Sequence, residues 1–574
     1  MRKHIKHSLT IAIVLNITIL YAQTKKDTIK TGVIDVVKPY TPSISDAFKV
    51  KEVPPTDDDE AIKKKAVNYN IFSFPVASTF TPAKGKAANV EKAKPIKLFD
   101  NYATLGVGTY TTFLGEVYLN HALSRTESVG GYFSHNSSGG GIEGVQFDDN
   151  FSNTKLNANY ATQLRDLGWT VEAGFQHQRF NWYGVPESQI VTAQNDNMRP
   201  EHAFFNAHFG GDITFEDTYI ESGSFFFRRF SDDQGSGENR FMAQAKVDVP
   251  INDEIIATKI KFDYLGGTFN RGYTTNSELA YGNFVVGLSP SYQMKQDDLT
   301  LNLGISINYL NNSAGRNKLF LYPNITATYR LVNDVLIAFG GIEGGLLQNS
   351  YYGFASQNPF VSPTLLVLPT DEQYNAYVGL KGKLSSNMSY SFNGVYKADR
   401  NKALFRNNDI TLMDDQPYSY GNSYGVVYDN VDTFGVAGEL NVDVNRNFTL
   451  GIKAEYFTYD TDSEAEPWNL PDIMGSLFMD YQIDEHWFAG ANLIYTGERK
   501  DRFFLNDGVT VTSPFTVTLD GFFDANAHVG YHINEQISLF AKANNIADRA
   551  YQRWQNFPVQ GIQFLAGATF KFDF

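Results

Sequence analysis

The chain has no cysteine in 574 residues. That excludes thiol nucleophiles, thiolate-bound zinc, disulfides and a lipid-modified N-terminal cysteine. Positive charge is in deficit: 48 Lys and Arg face 63 Asp and Glu, a formal net charge of -15, which argues against nucleic acid as a partner. Past the N-terminus no run of about 18 apolar residues occurs, so no helix is expected to span a bilayer. No set of Ser, His and Asp at hydrolase spacing is indicated, and Gly139-Gly140-Gly141 lacks the lysine of a phosphate loop and reads as a turn. No enzyme activity and no cofactor are expected.

What is present is aromatic and glycine-rich: 45 Phe, 33 Tyr and 47 Gly. Many short strands, tight turns and aromatic belts use residues in this way. A mean hydropathy of -0.30 would suit a soluble protein, but a membrane barrel averages its lipid-facing and lumen-facing residues to the same figure. The last stretch, Gly561 to Phe574, shows the pattern most clearly. One face carries Ile562, Phe564, Ala566, Ala568, Phe570, Phe572 and Phe574; the other carries Gln563, Leu565, Gly567, Thr569, Lys571 and Asp573. This is a strand with oil on one side and water on the other.

Taken in order, residues 1–22 read as a signal peptide. Arg2, Lys3 and Lys6 form a basic start, Leu9 to Leu20 a short apolar run, and Ala22 a small residue at the cut. Residues 23–98 hold Lys63-Lys64-Lys65, the acidic run Asp57 to Glu60 and several prolines, and read as an irregular periplasmic or lumenal segment. Within it, Val33-Ile34-Asp35-Val36-Val37 is β-branched enough to add as a strand to a partner's sheet.

Residues 99–574 alternate repeatedly. Leu301, Leu303, Ile305, Ile307 and Tyr309 oppose Asn302, Gly304, Ser306 and Asn308; Phe523, Ala525, Ala527, Val529 and Tyr531 oppose Asp524, Asn526, His528, Gly530 and His532. About 22 such segments can be counted, and the connections between them alternate short and long. Leu331 to Asp334, Ser385 to Asn387 and Ile533 to Glu535 are brief; Trp182 to Pro200, Tyr351 to Pro369, Ala398 to Tyr424 and Thr496 to Pro514 are not. Barrels with brief periplasmic turns and long extracellular loops require that beat, and a soluble sandwich does not. The fold class expected is therefore all-β: a transmembrane antiparallel β-barrel of about 22 strands with a short irregular N-terminal extension. Its closing seam would join the last strand to the first, Asn101 to Tyr110.

Two motifs carry a resemblance. The aromatic end, with Gly567, Phe570, Phe572 and Phe574, resembles the terminal strand of outer-membrane barrels, which the barrel assembly machinery reads as an insertion signal. Ala543-Asn544-Asn545-Ile546-Ala547-Asp548-Arg549-Ala550-Tyr551, then Pro558 to Gly561 and the final strand, resemble the end of TonB-dependent receptors, as do Tyr428-Asp429-Asn430 through Gly435 to Glu439. That resemblance implies the outer membrane of a Gram-negative bacterium, outer-membrane lipid around the barrel, uptake of an unknown solute, and TonB or another envelope protein as partner. The family's TonB box would fall on Asp27, Thr28 and Ile29 or on Val33, Ile34, Val36 and Val37. The family's plug signatures are not found, so residues 23–98 are expected to be a non-plug extension. The rival reading is a non-transporting barrel serving as a structural subunit of a secretion or biogenesis complex.

A barrel this wide needs something in its lumen, and either residues 23–98 or inward-folded long loops are expected to close it. Trp182-Tyr183, Tyr351-Tyr352 with Phe354, Tyr418 with Tyr420, Phe503-Phe504 and Trp487 are expected in interfacial girdles. Asp460, Asp462 and Glu464 are expected to be solvated acids, and His528 and His532 lumenal polarity, rather than metal ligands.

Overall fold

The computed structural model describes residues 98–574 apart from 217, 253, 314, 316, 412–415 and 504–513. The alternating segments form one sheet of 22 strands, from Asn101–Gly108 to Gln563–Phe572, each bonded antiparallel to its neighbours. The first strand pairs with the second, Thr112–Ala122, on one side and with the last on the other. The sheet is thus a closed barrel without a free edge, which is how a β protein satisfies its backbone in lipid. No described helix is long and apolar enough to cross a membrane, and a barrel crosses with strands.

Side-chain parity follows from the pleat. Phe564 and Phe570 point out of the barrel, 53% and 45% exposed, while Gln563, Leu565 and Thr569 between them are half-buried. Leu303, Ile305 and Tyr309 likewise face out, with Asn302, Ser306 and Asn308 inside. The inner polar groups bond to one another across strands: Asn302 Nδ2 donates to Thr326 Oγ1 at 3.0 Å, and the hydroxyls of Ser289 and Ser306 meet at 2.8 Å. Oily outside and hydrogen-bonded inside is the polarity of a membrane barrel.

At one end the strands are joined by short turns, such as 123–126, 164–166, 297–298 and 386–387. Asp297 and Asn333 sit there in the left-handed region, at φ 47° and 42°, which Asn and Asp tolerate better than other side chains. The other end carries the long connections 182–200, 348–369, 408–423, 497–521 and 545–562. In outer-membrane barrels the long loops face outside.

The closing seam depends on a close approach. Gly567 of the last strand lies opposite Gly106 of the first. A Cβ on Gly567 would stand 2.2 Å from the Leu105 carbonyl oxygen and 2.8 Å from Gly106 Cα. We expect Gly567→Val to force the seam apart, at a cost of about 1–3 kcal/mol or more for such overpacking. The check is the fraction migrating as the compact species on an unheated gel. It should fall several-fold, whereas Thr569→Val, at a neighbouring inward position, should leave it near wild type.

Candidate functional site

The long loops fold inward over the mouth that bears them. Residues 348–369 leave the strand Leu336–Leu347 and turn inward through a short helix, Tyr351–Gln357. Ser350 caps it, its hydroxyl accepting from Gly353 N at 3.0 Å. The Tyr351 ring lies among Phe204, Phe230 and Phe269, at centroid distances of 6.1, 5.0 and 5.0 Å. Its backbone N–H donates to Glu238 Oε2 at 2.7 Å, and its hydroxyl to Asp232 Oδ2 at 2.7 Å. Tyr281 donates to the same Glu238 oxygen at 2.6 Å. Burial, and then the Asp232 carboxylate, hold the Tyr351 phenol well above its ordinary value, so it remains an O–H donor.

Farther along, the same loop bonds that wall once more and then reaches the opposite one. His202 Nε2 bonds the Pro359 oxygen at 2.8 Å, while its ring stacks on Trp182 at 3.9 Å. Phe360 stacks on Phe557, from the connection before the last strand, at 3.8 Å. Val361 forms a parallel bridge with Tyr424, where Tyr424 N donates to Phe360 O and Ser362 N to Tyr424 O, both at 2.9 Å. The Tyr424 hydroxyl donates to Asp501 Oδ2 at 2.6 Å and accepts from Gln555 N at 2.6 Å. Asp501 is fully buried and also accepts from Asn407 N at 3.0 Å. Burial pushes its carboxyl up against the Tyr424 hydrogen bond that favours the anion.

Strands Glu201–Phe215 and Ile220–Asp232 stand sixth and seventh in the ring, and Met388–Asn407 and Tyr424–Asn445 fifteenth and sixteenth. They are nearly opposite one another, so the loop 348–369 runs across the mouth. Residues 408–423 add a second layer: Asn422 Nδ2 donates to Trp182 O and Tyr420 O–H to Asp196, each at 2.8 Å. The result is one cap built from five connections, with an aromatic centre and buried carboxylates accepting phenol and amide donors.

This arrangement corrects the girdle expectation. Trp182, Tyr351, Phe354, Tyr418 and Tyr420 are all under 5% exposed and belong to the cap, because their loops fold inward instead of standing at the lipid boundary. Trp487, 44% exposed beside a short turn, sits where a girdle residue would. Glu464 is not a solvated acid either: both its oxygens accept from Arg406 Nη1, at 3.0 and 2.8 Å, and one from Trp468 Nε1 at 2.7 Å. His528 and His532 line the lumen, the latter bonded to Ser538 at 2.7 Å. Among the described residues no group of three or more His, Asp or Glu could hold a metal ion. A Gly-x-Ser-x-Gly run, Gly421 to Gly425, does occur. Its Ser423 is fully buried and donates to Tyr418 O at 2.6 Å, so it is a cap residue and not an exposed nucleophile.

Of the residues singled out from sequence, Asp27, Thr28, Ile29, Val33, Ile34, Val36 and Val37 lie outside the described residues. Gly567 is at the seam, Phe570 faces out and stacks on Phe572 at 5.4 Å, and Phe574 follows the strand's end, 79% exposed. The cap acids Asp232, Glu238 and Asp501 and the ring of His202 had no motif to announce them. The available signal was aromatic density inside the loops, beyond the strand ends where a girdle would stop.

Closed barrel, oily exterior, polar lumen and one looped mouth define an integral outer-membrane β-barrel. A family model described as TonB dependent receptor-like, beta-barrel, matches residues 96–546, and the chain belongs to that family. Its members are outer-membrane receptors of Gram-negative bacteria that take up a ligand, transporters rather than enzymes. No curated protein matches the sequence. Among solved structures, the fold is similar to the FrpB iron transporter from Neisseria meningitidis, with a TM-score of 0.62 at 10% identity over 83% of this chain and 82% of that one. It is similar too to the siderophore receptor PirA from Acinetobacter baumannii, with a TM-score of 0.60 at 11% identity over 83% of this chain and 81% of that one. The ferric-catecholate import receptor Fiu from Escherichia coli K12 gives 0.59 at 11% identity over 84% and 83%.

Proposed function

We propose that this barrel is a gated receptor for uptake of a solute, with the cap of inward-folded loops as its gate. The observation that carries the reading is the loop 348–369, bonded to walls on opposite sides of the mouth. A solute entering from the long-loop side must either bind the cap's outer surface or displace loops from one another. Displacement means breaking buried hydrogen bonds, so a bound solute or a partner has to supply the difference in free energy between closed and open states. TonB is the partner the family suggests, and Asp27 to Ile29 or Val33 to Val37 would offer it a strand.

The absence of cysteine makes the test clean. Phe360 and Phe557 can be replaced as a pair by cysteine and joined with a short, reductively cleavable thiol cross-linker. Cells carrying the wild-type barrel should deplete from their medium at least one solute that a deletion strain leaves behind, as seen by mass spectrometry of spent medium. Cross-linked F360C/F557C cells should behave like the deletion strain, and cleavage of the linker should restore depletion. If deletion changes no solute and the barrel instead co-purifies with stoichiometric envelope proteins, the gate reading fails and the scaffold reading takes its place.

A further inference from the structure

On the lumenal face of Ile220–Asp232, Gly237–Ile251 and Glu254–Phe269, parity gathers cations. Arg228 stands directly opposite Arg240, and Lys246 directly opposite Lys259. Like charges at facing positions of neighbouring strands are destabilising, and here two such pairs share one wall in a chain whose net charge is -15. Carboxylates answer only part of that charge. Asp263 accepts from Arg240 at 3.0 and 2.9 Å and pairs with Lys261 at 3.0 Å, so one acid serves two cations. Glu221 pairs with Lys246 at 2.5 Å. Arg228 lies over the Tyr352 ring of the cap at 3.8 Å, its Nε buried without a hydrogen-bond partner. Lys259 has no carboxylate partner among the described residues and is exposed on the lumenal face.

At Lys259 the wall also has room. A cavity of about 390 Å³ is lined there by Lys246, Lys259, Ser289, Ser291, Ser306 and, on its far side, Glu343. Small-molecule sites begin at about that size. The three hydroxyls lie between the lysines and the single acid, and Glu343 already accepts from the Tyr377 hydroxyl at 3.1 Å. Two ammonium groups at one end, with hydroxyls and one hydrogen-bond-accepting carboxylate beyond, suit a ligand that is anionic at one end and hydroxylated at the other.

We infer that this stretch of lumenal wall is a binding site for a small hydroxylated oxyanion, of which a sugar phosphate is the type, held by Lys246 and Lys259 and oriented by Ser289, Ser306 and Glu343. The inference deepens the uptake reading and rests on it for its place in a solute's path. An anion between the lysines removes the like-charge cost, and Arg228 and Arg240 extend the positive potential along the wall towards the cap.

The test is calorimetric titration of the full-length barrel in detergent with glucose 6-phosphate, inorganic phosphate and glucose. Glucose 6-phosphate should bind most tightly, phosphate more weakly, and glucose without measurable heat. Raising salt from low to high ionic strength should weaken glucose 6-phosphate. K259Q should weaken it about tenfold or more, and K246Q/K259Q should abolish it, with the compact band on an unheated gel confirming that each variant is assembled. S289A, which keeps every charge, should lower affinity only several-fold. Equal binding of glucose and glucose 6-phosphate, or unchanged affinity in an assembled K246Q/K259Q variant, would overturn the site. Titration measures neither opening nor uptake, so its failure leaves the gate reading standing. Conversely, loss of medium depletion would sink that reading without touching the titration.

Discussion

Replacing residues 350–368 with a short Gly-Ser turn should convert the barrel into an open pore. Conductance in planar bilayers should rise roughly tenfold or more over the wild-type protein, because barrels of 16–18 strands already enclose an aqueous channel and this one has 22. The deletion removes the chain that links the walls around Phe204 and Tyr424, and with it one partner each of His202, Glu238 and Phe557. The strands themselves are untouched, so the compact band on an unheated gel should persist. Conductance unchanged from wild type in an assembled deletion would show that the loop 348–369 is not what closes this mouth.

Tyr351→Ala should have the largest effect of any single substitution in the cap. It removes a ring packed among Phe204, Phe230 and Phe269 and deprives Asp232 of its phenol donor. Truncating a buried aromatic costs about 3–5 kcal/mol, and an orphaned buried acceptor adds to it. A loss of about 4 kcal/mol of cap stability raises the population of the open form by two to three orders of magnitude. Where opening and closing are fast relative to cleavage, proteolysis reports that population. Cutting within 350–368 should accelerate accordingly. Tyr351→Phe keeps the ring and loses only the hydroxyl, so its cutting should accelerate only about tenfold. Equal rates for the two variants would mean that the ring's packing contributes nothing to closure.

The barrel was legible because its determinants are local and repeat. The period of two in Leu301 to Tyr309 and in Phe523 to Tyr531 sets which side meets lipid, and the alternation of short and long connections sets which end is which. The seam between the first and last strands followed from the need to close the sheet. The cap was not legible in its particulars. Tyr351 meets Glu238 from more than a hundred positions away and Tyr424 meets Asp501 across another loop, so no window of sequence contains either pair. A buried aromatic in an inward loop and an interfacial aromatic at a strand's end are the same residue type in similar company. In sequence Trp182 and Tyr418 therefore read as girdle residues, and in the fold they belong to the cap. Of the two expected fillings of the lumen, the long loops do fold inward, through side chains that only the three-dimensional contacts reveal; residues 23–97 lie outside the described residues. The basic wall was hidden for a related reason: Lys246 and Lys259 become neighbours only through the register of two strands.

The sharing of partners within the cap has a consequence for how such a receptor can change over generations. Asp501 answers donors from two different segments, Glu238 answers two tyrosines, and Phe360 packs on both Tyr183 and Phe557. A loop transplanted singly from a relative would arrive without its counterparts and strand those of its hosts. Diversification at this mouth must therefore proceed by linked sets of substitutions spread over several loops.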